Sequence, residues 1–337
     1  MRNVGLDVHQ KYTYYTEVDD GGVVLRQGKV VNEALPALFA DDQPRRVVLE
    51  AGRNWYHFFD SLEGLVEEVQ LAHPLRTRAI AAAKVKTDKI DSATLAHLLR
   101  ADLIPRAYTA PASVREEREV LRCRASLVSL RTRVKNKVHA VLAKRGMICP
   151  WSDLFGKSGR RWLSEAALPP VYQQTVDSNL RVLDSLNTEI GLVTEEVKRR
   201  VELSAEAKLL TTIPGIGTYS ALLLLAEIGD IHRFPDRQHL VSYAGLAPIV
   251  RSSGGKTRYG PISKQGSPWL RWILVQAAHV APRHDSDLRE RYKTTAYRRG
   301  GKVATVALAR HLLKVVYQVL KSRRPYEAAS RSSSSCQ

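Results

Sequence analysis

The run Arg46-Val47-Val48-Leu49-Glu50 constrains the fold more than any other stretch of the chain. Successive side chains leave a strand on opposite faces, so an uninterrupted apolar run suits a strand buried on both sides. Such a strand needs other layers above and below it. Residues 3–8 form a second short apolar run that contains Asp7, with His9 just beyond it. A third run spans Tyr12 to Val18, and a fourth spans Val23 to Val31 after the turn Asp19-Asp20-Gly21-Gly22. Asp and Gly clusters between β-rich runs predict hairpins, hence three antiparallel strands at the start of the domain. Residues 33–40 and 54–64 read as helices and Val66 to Leu71 as another strand. Pro74 opens a further helix, since proline is tolerated in a first turn. Strands followed by strand–helix alternation predict a mixed α/β sheet with helices on both faces.

Asp7 and Glu50 both sit at the ends of predicted core strands. Burying a carboxylate without a partner is costly, so each is either a strand-end residue that reaches solvent or an acid with a task. The stretch Lys84-Val85-Lys86-Thr87-Asp88-Lys89-Ile90-Asp91 adds two more. If Thr87 starts a helix, Asp88 and Asp91 share one face at i and i+3. They then serve either as cap and solvated surface, or as a facing pair that repels unless a cation sits between them. Together the four acids place oxygen donors on elements that would border one sheet edge. Hard cations such as Mg²⁺ prefer such ligands, and two ions about 3.5–4 Å apart can activate an attacking oxygen and stabilise a leaving one in phosphoryl transfer.

Charge narrows the partner. The 337 residues carry a net charge of +18, unevenly spread. Residues 1–110 hold 14 Lys+Arg against 15 Asp+Glu, residues 111–204 hold 17 against 11, and residues 205–337 hold 21 against 8. A near-neutral first domain followed by a basic remainder points to a polyanion, most simply nucleic acid. No apolar run approaches the roughly 18–20 residues of a membrane span, and the first ten residues lack the apolar core of a signal peptide. The expected location is therefore cytoplasmic. Cys123, Cys149 and Cys336 have no metal-ligand spacing, and their odd number argues against a disulfide framework.

From Pro111 the pattern becomes helical. Val120, Leu127, Val134 and Val141 recur every seven residues, with Cys123 and Leu130 between them. Leu183, Ile190 and Val197 make a second seam, flanked by Leu180, Leu186 and Val193. These predict an antiparallel helical hairpin or arms that dimerise. The polar faces of the first helix are basic, with Arg124, Arg131 and Lys135 among the residues placed to grip phosphates. Residues 209–230 read as two apolar helices joined through Pro214-Gly215-Ile216-Gly217, which resembles a helix-hairpin-helix motif. There the glycine backbone and the next helix N-terminus can meet a phosphate. A polar loop follows with Arg251, Ser252, Ser253, Gly254, Gly255, Lys256, Arg258 and Lys264, so its serines lie in a positive field. A serine hydroxyl must lose its proton to attack phosphorus, and no His-Asp pair is evident nearby. Trp269 to His279 and Val303 to Leu320 read as helices behind this loop, and the Ser-rich end is expected to be disordered.

The ordered set GLDVHQ, VVLEAG, KTDKIDS, LLTTIPGIG, AGLAP and RSSGGKTR resembles the DEDD-type transposases of bacterial insertion sequences, relatives of the Piv-type DNA invertases, over approximately residues 1–326. The resemblance implies an RNase H-like, Holliday-junction-resolvase-like catalytic domain over 1–110. It implies a helical coiled-coil dimerisation region over 111–204 and a mainly α transposase domain with a serine loop over 205–326, leaving 327–337 as tail. By motif the metal-binding quartet falls on Asp7, Glu50, Asp88 and Asp91, with Mg²⁺ or Mn²⁺ as cofactor. The serine after the Gly-Leu-x-Pro segment falls on Ser253, with Ser252 as its rival. The implied chemistry is attack of that serine on DNA to give a transient 5′-phosphoserine link, assisted by an acidic domain from a different subunit. The implied partners are donor and target DNA, a structured guide (bridge) RNA that pairs with both, and further copies of the chain, as dimers that pair into tetramers. Lys84, Lys86 and Lys89, together with Gly215, Gly217, Arg251, Lys256, Arg258 and Lys264, are expected at the nucleic acid. The competing expectations are a resolvase-like nuclease that forms no covalent link and a non-catalytic nucleic-acid scaffold.

Overall fold

The computed structural model describes residues 1–81 and 87–327. The chain divides into two compact units, Met1–Ala110 and Pro111–Gln337.

In the first unit, β1 (Arg2–Val8), β2 (Tyr12–Val18) and β3 (Val24–Val31) form the expected antiparallel meander. On the other side of β1, β4 (Arg45–Glu50) runs parallel to it and β5 (Glu68–Ala72) parallel to β4, giving the order β3-β2-β1-β4-β5. The helices are α1 (Trp55–Leu62), α2 (Pro74–Ile80) and α3 (Asp88–Arg100). The β4 run is buried on both faces. Val47 and Leu49 join Val4, Leu6, Phe58 and Leu62 in one core, while Val48 joins Ala72, Leu95, Leu98 and Leu99 in another. The helix expected over 33–40 is instead two short 3₁₀ turns, Asn32–Ala34 and Pro36–Phe39. Pro36 falls inside the expected helix, where it lacks a donor and crowds the preceding turn.

α3 lies against β1 at Gly5. A Cβ on Gly5 would stand 2.1 Å from the Ser92 carbonyl oxygen and 2.5 Å from the Ala96 nitrogen. Only a residue without a side chain allows that approach. The buried hydroxyls of Thr16 on β2 and Ser92 on α3 fix the register with a 2.7 Å hydrogen bond. The opposite end of the sheet is closed by charge. Buried Glu17 accepts hydrogen bonds from Arg45 (3.0 Å), Arg26 (2.6 Å) and Arg2 (3.3 Å), and Arg45 also pairs with Asp41. Burial raises the Glu17 carboxyl, but the Arg45 and Arg26 guanidiniums outweigh it and hold it below the usual carboxylate value.

The second unit begins with α4 (Ala112–Lys144), α5 (Lys157–Glu165) and α6 (Pro170–Leu203). Arg124 of α4 meets Thr194 of α6 and Arg131 meets Asn187, so the two long helices run antiparallel. α6 buries Val176, Leu183, Ile190 and Val197, which is the expected seven-residue seam extended by one repeat. α4 departs from its expected seam. Its buried apolar residues are Leu121, Ala125, Val138, Val141 and Leu142, while Leu127 and Val134 are half-buried and Cys123 and Leu130 are exposed. The start of α4 also packs on a second partner, whose core takes Leu121 in place of Val120.

That partner is α8 (Thr218–Ile228), which follows α7 (Ala205–Thr211). Arg118 donates to the carbonyls of Ala226 and Glu227, and Arg122 donates twice to the fully buried Glu227 carboxylate at 3.0 and 2.7 Å. The unit continues through α9 (Arg237–Tyr243), the hairpin β6 (Pro248–Ser253) and β7 (Lys256–Ile262), then α10 (Pro268–Val280), α11 (Ser286–Arg299) and α12 (Gly301–Ser322). Ser267, the cap of α10, donates to the other Glu227 oxygen at 2.8 Å. By length and composition α12 is apolar enough to cross a membrane, contrary to the sequence expectation, because Arg310 and Lys314 interrupt the run without making it polar overall. It is a core helix of this unit, packing on α9 and α10 and burying Leu308, Leu312, Leu313, Val316 and Val319 in the unit's main hydrophobic core.

Candidate active site

The acids gather at the C-terminal end of β1 and β4. Strand alternation sends Val4 and Leu6 to the α1 side, so Gly5 and Asp7 face α3, and Val48 and Glu50 face the same way. Leu6 and Leu49 are register partners in the parallel ladder, so Asp7 and Glu50 are the next position along the two neighbouring strands. α3 enters over this end. Thr87 caps it, its hydroxyl accepting from the Ile90 amide at 3.2 Å, and Asp88 and Asp91 occupy the first turn. Capping by Thr87 leaves the Asp88 carboxylate for other work. It accepts from the Tyr12 hydroxyl at 3.1 Å and lies 3.3 Å from His9 Nε2. The same His9 nitrogen lies 3.2 Å from Asp7 Oδ2. Asp7, His9 and Asp88 thus bring three possible ligand atoms within 4.8 Å of one another, the one such group among the described residues. Glu50 and Asp91 lie outside that span, with Asp91 near enough to act on Asp7 through its charge.

This cluster fits a divalent cation. Partial burial, above all, raises the Asp7 carboxyl above its ordinary 3.8, and the charges of Asp88 and Asp91 add to the rise against the opposing pull of His9. A carboxylate that its neighbours disfavour is one that a metal ion stabilises, and oxygen-rich donor sets select hard divalent ions. His9 and Tyr12 were not singled out from sequence. A lone histidine two residues past a strand acid reads as a turn residue, and the packing of α3 on β1 and β2 that brings Asp88 to Tyr12 is a tertiary fact.

In the second unit, the segment expected as a loop around the serines is a β-hairpin. Gly254 and Gly255 make its two-residue turn with φ of +54° and +74°, the left-handed pair that tight hairpins require. Ser253 pairs with Lys256, Ser252 with Thr257, and Arg251 with Arg258. Directly opposed residues share a face and alternate residues share it too. Ser253 therefore lies on one face with Arg251, Lys256 and Arg258. Ser252 lies on the other, its hydroxyl 3.4 Å from that of Thr257. Every residue from Arg251 to Gly260 is exposed.

Comparison with known proteins places both halves. Residues 4–145 match the model of the DEDD transposase domain of the IS110 type, and residues 207–293 match the "Transposase IS116/IS110/IS902 family" model. The chain belongs to the IS110/IS116-type DEDD transposases. It is 25% identical to the transposase of insertion sequence element IS1111A from Coxiella burnetii, over 98% of this chain and 92% of that one. It is 26% identical to a probable family 20 transposase of Pseudomonas aeruginosa, over 97% and 98%. It is also 30% identical to the pilin gene-inverting protein of Moraxella bovis, over 48% of this chain and 52% of that protein. The transposase acts on DNA, and its DEDD domain implies dependence on a divalent metal.

The remaining residues expected at nucleic acid fall in varied surroundings. In this transposase Lys89 is exposed on the first turn of α3, while Lys84 and Lys86 lie outside the described residues. Arg124 is engaged within the chain, bonded to Thr194 at 2.9 Å and 4.5 Å over the Tyr219 ring. Arg131 reaches Asn187 at 3.5 Å, and Lys135 lies 4.7 Å over the Phe155 ring. Gly215 is packed, since a Cβ there would stand 2.5 Å from the Ala277 carbonyl oxygen of α10 and its φ is +84°. Gly217, at the N-cap of α8, has open space on its Cβ side. Lys264 is exposed just beyond the hairpin.

Proposed function

We propose that this transposase cuts and rejoins DNA through Ser253, with Asp7, Glu50, Asp88 and Asp91 holding Mg²⁺ or Mn²⁺ at the reacting phosphate. The observation that carries the reading is the shared face of Ser253, Arg251, Lys256 and Arg258 on the exposed hairpin. Two arginines directly opposed across a ladder repel, and an anion between them relieves the repulsion. A DNA phosphate there lies beside Ser253, not Ser252. In the step so supported, Ser253 Oγ bonds to phosphorus and the bond to the 3′ oxygen breaks. The hydroxyl proton passes to a general base, and the departing oxygen gains a proton as a 3′-hydroxyl. Attack by another 3′-hydroxyl on the phosphoserine then restores the serine without net hydrolysis. Arg251, Lys256 and Arg258 hold the phosphate and offset the charge that develops on it. The divalent ions, when bound, polarise the phosphoryl oxygen and favour ionisation of the attacking hydroxyl.

The β3-β2-β1-β4-β5 order, with acids at β1, β4 and α3, supports an RNase H-like reading of the first unit. The open backbone at Gly217 ahead of α8 supports a helix-hairpin-helix-like contact with phosphate. The long α4–α6 hairpin supports assembly into dimers and tetramers, in which the acid cluster of one copy serves the serine of another. The basic excess of residues 205–337 supports a guide RNA beside donor and target DNA, acting in the cytoplasm at the nucleoid. The second reading, a resolvase-like nuclease, draws on all four candidate acids lying within the first unit. A recombination assay with Ser253→Ala and Ser252→Ala separates them. Serine attack predicts loss of strand exchange only in the first variant, with DNA binding kept. Full exchange by Ser253→Ala would sink the serine role, and metal-dependent cutting by that variant would favour the nuclease.

A further inference from the structure

We infer that His9 is a metal ligand of this transposase, so that the site binds its ion through nitrogen as well as oxygen and favours Mn²⁺ over Mg²⁺. The inference rests on the reading of the acid cluster as a metal site and adds a residue outside the DEDD quartet. An octahedral ion with bonds of about 2.1 Å sets adjacent donors about 3 Å apart. His9 Nε2 stands 3.2 Å from Asp7 Oδ2 and 3.3 Å from Asp88 Oδ2, which is the spacing of neighbouring corners around one ion.

His9 is also held firmly in place. Its amide donates to the Tyr12 carbonyl at 2.9 Å across the β1–β2 turn. Its carbonyl accepts from Asn32 Nδ2 at 3.0 Å and from Asn54 Nδ2 at 3.4 Å. Residues from three separate segments thus fix the main chain of one turn residue. Its ring lies against the Tyr12 ring with centroids 4.7 Å apart, and Tyr12 in turn bonds the Asp88 carboxylate. One side chain therefore orients two of the three donors, as the outer partners of metal ligands do. A solvated turn histidine has no use for such support.

Donor chemistry gives the selectivity. Mg²⁺ takes oxygen ligands and keeps several waters, whereas first-row transition ions also accept imidazole; of these, Mn²⁺ shares the preference of Mg²⁺ for carboxylates, so a site of two carboxylates and one imidazole suits it better than Mg²⁺. The competing account of the same distances is a histidine that only hydrogen-bonds the two carboxylates and leaves the metal to oxygen. Mn²⁺ itself is the probe, added to the full-length protein and to His9→Asn. Pulsed electron paramagnetic resonance should show nitrogen modulation from an imidazole on the wild-type ion, and none in the variant. Mn²⁺ affinity by titration calorimetry should fall by at least about tenfold in His9→Asn, the scale on which even outer partners of ligands register. Mg²⁺ affinity should fall less. Mn²⁺ bound without nitrogen modulation, or with equal affinity in both proteins, would overturn the role of His9 and leave the acid site standing. No Mn²⁺ or Mg²⁺ binding to the wild type would overturn the metal site and the inference with it.

Discussion

Asp7 carries a carboxyl that its surroundings disfavour, through burial first and then the nearby charges of Asp88 and Asp91. The folded protein consequently binds this proton more tightly than the unfolded chain. Well below the ordinary value of 3.8 both states are protonated and the residue costs nothing. As pH rises through the raised folded value, the unfolded chain gains from ionisation that the fold penalises, and stability falls. Asp7→Asn should therefore raise Tm in metal-free buffer near neutral pH, with the gain fading in acid. Mg²⁺ or Mn²⁺ should raise the Tm of the wild type but not of the variant. A Tm that falls in Asp7→Asn at neutral pH would contradict this electrostatic account. Asp7 and Asp88, which the structure brings together, were legible in sequence because a carboxylate ending an apolar strand, or opening a helix after a threonine cap, breaks the local pattern. His9 breaks no pattern. What distinguishes it is that Asn32, Asn54 and Asp88, from distant parts of the chain, converge on it.

At the scale of elements, glycine chemistry separates structure from contact. Gly215 has φ of +84° and meets α10, so Gly215→Ala should cost roughly 1–3 kcal/mol from crowding alone. Gly217 has φ of −89° and open space, so Gly217→Ala should cost no more than about 1 kcal/mol, as a poorer cap. If the start of α8 meets phosphate, the second variant should lose DNA affinity while its melting curve stays near that of the wild type. Unchanged affinity there would remove this segment from the interface. The pair of helices was legible here, but the Ile-Pro-Gly-Ile-Gly string could not say which glycine serves packing. The same limit applies to α4. Its basic residues were visible, but not that Arg118 and Arg122 turn inward to Ala226 and Glu227, because helix periodicity carries no information about a partner far along the chain. The hairpin shows the reverse case. Arg251 to Arg258 read as a loop, although Gly254-Gly255 between polar residues is a tight-turn signal. The flanking residues lack apolar alternation because every side chain there is exposed. α11 went unforeseen for a similar reason, since Leu288 is its one buried residue.

The whole molecule divides its chemistry between two units. Met1–Ala110 concentrates carboxylates at one sheet end, and Pro111–Gln337 carries most of the positive charge and the serine hairpin. In the proposed reaction the cationic hairpin holds DNA beside Ser253, and the acid cluster with its metal favours ionisation of the attacking hydroxyl. The proposed reaction requires both. The direct test is to incubate the purified transposase with DNA bearing its element's ends, any RNA it requires, and Mn²⁺, then digest the denatured protein and map DNA-linked peptides by mass spectrometry. A nucleotide 5′-phosphate on Ser253, lost in Asp7→Asn and in Ser253→Ala, is the predicted result. Cleaved DNA with no linked peptide, or a link on Ser252, would contradict it.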